Sequence, residues 1–404
     1  MDDVETKTDG AETKTAVSRK ARKAVLAFVI LLGSVSLFAD MTYEGARAIT
    51  GPFLGSLGAS ALMVGFVAGF GEFIGYVVRL VSGQIASRTG HYWRGVLLGY
   101  AVNLFSVPLL ALAPGVAVAA TLMITERLGR AIRTPLRDAL LSEAVREAGQ
   151  GWGFGLHEAL DQIGATVGPL LVAFILWRKT GDYRTGFAVL LLPALISLTL
   201  VIAAARVYPK AQDSLSPWQG PSLRGFGRPF WLITLAAAMS GAGFADFALL
   251  AYHFGQAGTV AVPWIPVFYA AAMLAIGAAA FILGRLFDRF GISVLISATA
   301  LAALSVPLGF LGGFALGLVA TVLWGIGMGA QDSVLKAAVG ALLPTGRRAV
   351  GFGLFDMVRG TAWLLGSLLL GFLYDRNLSR MVAVSLILQL LALPILYLLK
   401  REGG

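Results

Sequence analysis

Carboxylate and guanidinium side chains lie deep inside several of the longest apolar stretches of this chain. Asp161 lies about 15 Å into its predicted helix at 1.5 Å per residue, and Glu126 and Arg127 lie about as deep in theirs. An ionisable group in hydrocarbon is costly unless it is paired or faces water. A buried carboxylate that competes for a proton and a nearby arginine can take up and release that proton. We therefore predict Asp161, Glu126 and Arg127 as proton-handling residues.

A purely structural role is the alternative for this group. Asp161 could form a permanent ion pair with Arg127 or Arg130 that holds two helices together. His157 lies one turn before Asp161 on the same helix face, and Glu126 and Arg130 have the spacing of an ion pair within one helix. Further basic residues follow at three- and four-residue spacing in the helix of Glu126, and they favour a basic stripe at the cytoplasmic interface: Arg130, Arg133 and Arg137.

Further interior charges predict a substrate site. The candidates are Asp40, Glu44, Glu72, His157, Asp246 and Arg359. Asp40 and Glu44 share a helix face, where they attract a cation or form a latch with Arg47. Arg359 is expected to pair with Asp356. The many carboxylates and aromatic rings favour an organic cation, and a divalent metal ion or an organic anion are the alternatives.

The composition defines the class of protein. Of 404 residues, 57% are hydrophobic and 13% are charged, about half the usual charged share of roughly 25%. Apolar runs of about 20 residues recur, which predicts an all-α polytopic membrane protein. The chain has no cysteine, so disulfides and cysteine-ligated metals are excluded. It also lacks a His-Glu-x-x-His motif and a phosphate-binding Gly-rich loop, so we expect neither an enzyme nor a cofactor.

The charge-free stretches predict twelve transmembrane helices in two sets of six. The first set lies near 24–50, 60–87, 93–113, 116–138, 150–177 and 185–205, and the second near 229–254, 260–287, 292–312, 316–341, 348–374 and 380–399. The domains predicted are a disordered cytoplasmic tail (1–23), an N-terminal bundle (24–205), a cytoplasmic loop (206–228) and a C-terminal bundle (229–400).

The basic residues predict the orientation. Lysine and arginine are concentrated in alternate loops, whereas the turns near 51–59, 112–116, 255–259 and 312–315 have none. The positive-inside rule then puts both termini in the cytoplasm. Two outer loops depart from it, with Arg178, Lys179, Arg184, Arg376 and Arg380. Because the net charge of +10 is spread over helix ends, we expect an inner-membrane protein and no nucleic-acid partner.

Two sequence patterns repeat between the halves. The residues Gly-Phe-Gly-Leu at 153–156 recur 198 positions later at 351–354. Gly83, Arg88 and Gly90 recur at an offset of 201 as a second Gly, Arg, Gly set. Repeats separated by an even number of helices have the same orientation, so the halves are predicted to be parallel copies with a substrate path between them.

The repeated loop resembles a signature of the major facilitator superfamily, Gly-x-x-x-Asp-Arg-x-Gly between helices two and three. The second-half copy fits fully, with Gly284, Asp288, Arg289 and Gly291, whereas Ser87 replaces the aspartate in the first half. The resemblance covers 24–400 and implies a gate in which this aspartate caps a helix end and pairs with an arginine across the cytoplasmic seam.

The fifth helix resembles the signature of the antiporter branches of that family. Gly155, Gly164, Gly168 and Pro169 carry the likeness. Gly164 and Gly168 would let a neighbouring helix approach closely, and Pro169 favours a kink; ordinary helix packing is the alternative. The resemblance implies alternating access with export of a small molecule or ion against inward-moving protons. It also implies a proton-transfer arginine in the fourth helix, which either Arg127 or Arg130 could match, and we prefer Arg127 because it lies deeper. We expect a monomer in membrane lipid, and a non-transporting membrane sensor is the less favoured class.

Overall fold

The computed structural model describes residues 5–144, 150–208, 225–343 and 348–402. Twelve helical segments account for this part of the chain. The helices are α1 (Glu5–Ser56), α2 (Ala61–Thr89), α3 (Tyr92–Leu112), α4 (Val116–Ala144), α5 (Gln150–Arg178), α6 (Tyr183–Val207), α7 (Arg228–Ala257), α8 (Trp264–Phe290), α9 (Ile292–Leu311), α10 (Phe314–Leu342), α11 (Arg348–Arg376) and α12 (Leu378–Glu402). The predicted all-α fold with twelve helices is confirmed.

Eleven of the described helices are long and apolar enough to cross a membrane. The exception is α4, which has the required length but is rich in charged residues. Its interior arginines are buried, Arg133 at 1% exposure and Arg137 at 9%. The expected basic stripe at the interface is therefore wrong, because these side chains turn into the bundle, where carboxylates of α1 and α5 meet them.

Two helices differ in detail from the sequence expectation. The structure begins α1 at Glu5, within the segment predicted to be a disordered tail; that segment is rich in Ala, Lys and Glu, which are good helix formers. Within α7 the helix stops at Gly243 and restarts at Phe247, and the Asp246 side chain accepts a hydrogen bond from the Ala248 amide. Asp246 therefore caps the second segment of α7 instead of lying within one continuous helix.

Both chain ends lie on the same side of the bundle, called here the termini side. Arg228 at the start of α7 pairs with Glu402 near the end of α12 at 3.0 Å. The ring of Phe28 in α1 lies 4.4 Å from that of Tyr208, just beyond the end of α6. The opposite side, called the far side, carries the loops that follow α1 and α11.

The glycines of α5 position this helix directly against α1. A Cβ atom on Gly164 would overlap the Leu37 carbonyl oxygen, and one on Gly168 would overlap that of Met41. The close approach expected of this pair is confirmed. In the second half, Gly366 of α11 lies in the same way against Ala242 of α7. The sequence repeat thus corresponds to a repeated helix contact.

The two halves meet closely on the far side. The carboxylate of Asp375 accepts hydrogen bonds from the amides of Ala61 and Leu62, both at 2.9 Å, at the start of α2. The Tyr252 hydroxyl donates to the Ala59 carbonyl oxygen at 3.1 Å. A Cβ atom on Gly51 would overlap the Ala248 carbonyl oxygen. These contacts leave no room for a solute to pass along this seam between α1, α2, α7 and α11.

Candidate functional site

Asp161 lies in a polar group built by α1, α4 and α5, called here the Asp161 cluster: Ser36, Arg137, His157 and Asp161. Arg137 donates to the Ser36 hydroxyl at 2.9 Å and to Asp138 Oδ1 at 2.8 and 3.0 Å, and it lies 3.8 Å from Asp161 Oδ2. His157 Nε2 lies 3.3 Å from Ser36 Oγ and 3.7 Å from Asp161 Oδ2. The partner of Asp161 is therefore Arg137, not the predicted Arg127 or Arg130. Asp161 Oδ1 and His157 Nδ1 have no hydrogen-bond partner among the described residues.

A second network joins α1, α2 and α4 and is called here the Glu126 network: Glu44, Arg47, Glu72, Glu126 and Arg127. Glu72 accepts from Arg47 at 3.1 Å and also pairs with Arg127. Arg127 Nε lies 3.4 Å from Glu126 Oε2, and Arg47 lies 3.3 Å from Glu44. The expected ion pair of Glu126 with Arg130 is not formed, because Asn103 donates to Glu126 Oε1 at 2.7 Å instead.

The arginines of α4 link these two groups along one line. Arg130 lies 3.8 Å from Glu44 and stacks over the Tyr43 ring at 4.3 Å. Arg133 lies 3.9 Å from Asp40 and 4.3 Å above the Tyr100 ring. At 3.9 Å the Asp40–Arg133 contact is too long for a hydrogen bond. Carboxylates of α1 therefore alternate with arginines of α4 from the Glu126 network to the Asp161 cluster.

A small cavity opens where the Glu126 network meets the second half of the chain. Glu126, Arg127 and Arg47 form its wall in the first half, and α7 and α8 supply Asp246, Phe247 and Tyr269. The Tyr269 hydroxyl donates to Glu44 Oε2 at 2.5 Å and so joins the halves at this point. Asp246 is 7% exposed, and its carboxylate forms no ion pair with any described residue. The Asp246 carboxylate interacts electrostatically with Arg47 and Arg127 of the same cavity, but neither guanidinium lies within 4.0 Å of it.

Arg359 lies apart from this cavity, in the second half. It donates to Gln331 Oε1 at 3.1 Å and forms no ion pair with a described residue, so the expected pair with Asp356 is not formed. Gln331 is the first residue of the π-helical turn Gln331–Leu335 of α10. This local change of helix geometry turns the Gln331 side chain towards Arg359. Of the six predicted substrate-binding residues, the structure brings Glu44, Glu72 and Asp246 to the cavity region. Asp40, His157 and Arg359 lie elsewhere.

Sequence reasoning missed the uncharged partners of these groups. Ser36, Asn103 and Gln331 are buried, and each hydrogen-bonds an interior charged residue. Their signal was available, because a polar side chain in a long apolar helix needs a partner. In the part of the chain that the structure describes, no group of three His, Asp or Glu residues is arranged to hold a metal ion.

Comparison with known proteins identifies the family. The model of the Major Facilitator Superfamily matches residues 32–367. The chain belongs to the Major Facilitator Superfamily. It is 38% identical to an uncharacterized protein of Mycobacterium tuberculosis (strain ATCC 25618 / H37Rv), over 97% of this chain and 98% of that one. It is 32% identical to an uncharacterized MFS-type transporter of Methanocaldococcus jannaschii, over 43% of each chain.

Solved transporter structures share the fold of this chain. The nucleoside transporter NupG, crystallised as a point mutant, superimposes with a TM-score of 0.75 over 93% of this chain and all of that one. The sequence identity is 12%, so the likeness concerns the fold alone. The family match over residues 32–367, with eleven described helices able to cross a membrane, makes the chain a multi-pass membrane transporter.

The superfamily's loop signature lies at the ends of α2 and α8. Gly90 and Gly291 end these helices with φ of 68° and 58°, a left-handed conformation that favours glycine. Arg88 and Arg289 occupy the last turns before them. Asp288 is exposed, and the ion pair predicted for it is not formed with any described side chain. Gly83 and Gly284 face Pro135 and Ser333 with room for a methyl group, and Gly155 faces open space.

Proposed function

We propose that this transporter exports an organic cation in exchange for protons, by alternating access between its two halves. The observation that carries the proposal is Asp246, a carboxylate in the wall of the cavity between the halves that has no ion-pair partner within 4.0 Å among the described residues. A cation that enters the cavity can contact this carboxylate directly. The rings of Tyr43, Phe247 and Tyr269 line the same cavity, and aromatic faces attract organic cations.

Proton coupling is assigned to Glu126 and Asp161, with Arg127 as the partner of Glu126. Glu126 lines the cavity together with Asp246, so a proton on Glu126 lowers the negative charge that a bound cation experiences. That proton also weakens the contact between Glu126 and Arg127, leaving Arg127 with Glu72. The cation and the proton then compete for the carboxylates of one cavity wall, and this competition is the requirement for exchange.

Asp161 takes the second proton-handling position in the proposal. Its Oδ1 atom lacks a partner, and its contact with Arg137 at 3.8 Å is longer than a hydrogen bond. A carboxylate held this loosely can be protonated without breaking a strong pair. Both chain ends lie on the termini side, which we assign to the cytoplasm of a cell with this protein in its inner membrane.

Transport and proton movement can be measured together in proteoliposomes loaded with a pH-sensitive dye. Ethidium is the first cation to test under an imposed proton gradient, followed by panels of organic cations, organic anions and divalent metals. We expect an organic cation to trigger proton movement that Asp161→Asn abolishes. Asp246→Asn is expected to raise the concentration needed for half-maximal transport at least tenfold. Asp182→Asn is the matched control, since Asp182 caps α6 outside the membrane spans.

Two outcomes would contradict the proposal. Transport of a cation without any proton movement, unchanged in Asp161→Asn, would make Asp161 a structural residue of a uniporter. A response to organic anions alone, unaffected by Asp246→Asn, would assign the cavity to a substrate of opposite charge.

A further inference from the structure

Two interior arginines lack a carboxylate partner. In the membrane interior, Arg47, Arg127, Arg130, Arg133 and Arg137 each have an acidic side chain within 4.0 Å. Arg79 of α2 and Arg359 of α11 have none among the described residues. Arg359 is 3% exposed. Asp356 acts on both guanidinium groups from a longer distance, but no acidic group of the described residues contacts either one directly, so donor groups on both remain unsatisfied.

The two arginines flank one aromatic ring at the seam between the halves. The guanidinium of Arg79 lies 5.7 Å from the centre of the Tyr76 ring. That ring is in contact with α11 at Gly360, the residue next to Arg359, where an added Cβ would lie 2.6 Å from Tyr76 Cδ2. One arginine from each half therefore lies beside the α2–α11 contact, and both interact electrostatically with Asp356.

Three nitrogen donors at this seam have no acceptor. Arg79 Nε, Arg359 Nε and Trp363 Nε1 are buried and form no hydrogen bond with any residue that the structure describes. Trp363 is 5% exposed and lies one turn from Arg359, whose guanidinium is 5.8 Å from the Trp363 ring. Gln331 accepts from one further nitrogen of Arg359. The unsatisfied groups are all donors, so an acceptor with negative charge completes the site.

We propose that Arg79, Arg359 and Trp363 form an oxyanion-binding site between the two halves, distinct from the Asp246 cavity. Asp356, three residues before Arg359, interacts electrostatically with both arginines but forms no ion pair with either within 4.0 Å. Asp332 also acts on Arg359 from beyond that distance. Guanidinium and indole N–H groups recognise a carboxylate or a phosphate group, on a transported molecule or as a free ion. The site lies on the α2–α11 contact, so its occupant touches both halves.

The test is anion binding by the purified full-length protein, read from its thermal unfolding. Sodium phosphate and sodium acetate are titrated against sodium chloride at equal ionic strength, without any gradient. We expect phosphate, acetate or both to raise the unfolding temperature to saturation. Stabilisation by phosphate and not by acetate would identify a phosphate ligand, and stabilisation by acetate and not by phosphate would identify a carboxylate ligand.

Variants connect the binding to these residues. Arg359→Gln and Arg79→Gln are each expected to weaken the binding at least tenfold, and Trp363→Phe two- to fivefold, because it removes one donor and keeps the ring. Arg285→Gln, at an exposed arginine of α8, is the control and should bind as the unaltered protein does. Should Arg359→Gln fail to fold, Arg359→Lys with Trp363→Phe tests the same donors.

The result is independent of the cation proposal. Asp246→Asn should leave anion binding unchanged, whatever it does to transport. Protection by chloride equal to that by phosphate and acetate would overturn the site. Equal anion affinity in Arg359→Gln, Arg79→Gln and the unaltered protein would also overturn it, leaving the two arginines as residues that only pack.

Discussion

Glu44 accepts one of the hydrogen bonds that join the two halves of the chain. The Tyr269 hydroxyl reaches it from α8 at 2.5 Å, while Arg47 and Arg130 contact the other oxygen at 3.3 and 3.8 Å. Glu44 is 5% exposed, so water cannot replace a lost partner. The hydroxyl of Tyr269 therefore holds the cavity wall together across the seam.

Tyr269→Phe removes that hydroxyl and keeps the ring. Because hydrogen bonds to charged groups contribute about 1.5–3 kcal/mol, we expect the free energy of unfolding to fall by roughly that amount. Thermal unfolding of the purified protein measures the change. Tyr183→Phe is the control, since the Tyr183 hydroxyl has no hydrogen-bond partner among the described residues. Equal losses in the two variants would show that the Tyr269 hydroxyl does not stabilise the fold.

Helical spacing predicted which interior residues share a helix face but not which helix supplies their partners. The neighbourhood of His157 and Asp161 within α5 followed from their spacing and is present in the structure. The cross-helix partner of Asp161 was placed at Arg127 or Arg130 and is Arg137. That choice depends on how far α4 is shifted along α5, which is a property of packing. The spacing of residues within a single helix gives no information about this shift.

The close contact of α5 with α1 depends on glycines. On α5, Gly164 and Gly168 leave no space for a Cβ atom against α1, whereas Gly155 of the same helix faces open space. A sequence pattern predicted all three glycines together, as one motif. The structure separates two that determine a helix contact from one that does not.

The same substitution should therefore have opposite effects at two positions of α5. Gly168→Ala forces α1 and α5 apart, and overpacking of this kind costs about 1–3 kcal/mol. Gly155→Ala only improves helix propensity, by about 1 kcal/mol. Thermal unfolding in matched detergent should show a lower midpoint for Gly168→Ala and an unchanged or higher one for Gly155→Ala. A lower midpoint in both variants, by similar amounts, would contradict this account.

One loop exception to the orientation rule also has a local explanation. Arg184 lies at the far side, where the rule expects few basic residues. Its guanidinium donates to the carbonyl oxygens of Ala111 and Ala113 at 2.9 and 2.8 Å, at the end of α3. Helix ends leave such carbonyls unpaired, so this arginine serves as a cap. Charge counting alone could not distinguish a capping arginine from an orienting one.

At the scale of the whole molecule, hydropathy and internal repetition predicted the six-plus-six arrangement. They worked because each bundle repeats the same helix contacts, such as Gly168 on Met41 and Gly366 on Ala242. They could not predict how the halves meet. Asp375 at the end of α11 lies 314 positions from Ala61, and the bond between them depends on the conformation of the whole molecule. It is also the contact most directly tied to closure of the far side.

Asp375→Ala should open the far side. The carboxylate accepts two amide hydrogen bonds from the positive end of α2, and alanine leaves both amides without this acceptor. A loss of about 1.4 kcal/mol from the closed form changes its population ratio about tenfold. Because the chain has no cysteine, Ala248→Cys provides a single thiol at this seam, where the residue is 6% exposed. We expect a membrane-impermeant maleimide to label it about tenfold faster when Asp375 is replaced.

The control for this measurement is Asp182→Ala on the same side of the molecule. Asp182 also caps a helix, accepting from the Thr185 amide at 3.0 Å, but cap and helix belong to one half. Its loss should loosen the start of α6 without moving the halves, so labelling at position 248 should stay at the background rate. Faster labelling in Asp182→Ala, or none in Asp375→Ala, would mean that the far side is held by the α1–α7 contact at Gly51 instead. The Asp375 bonds would then follow closure rather than stabilise it.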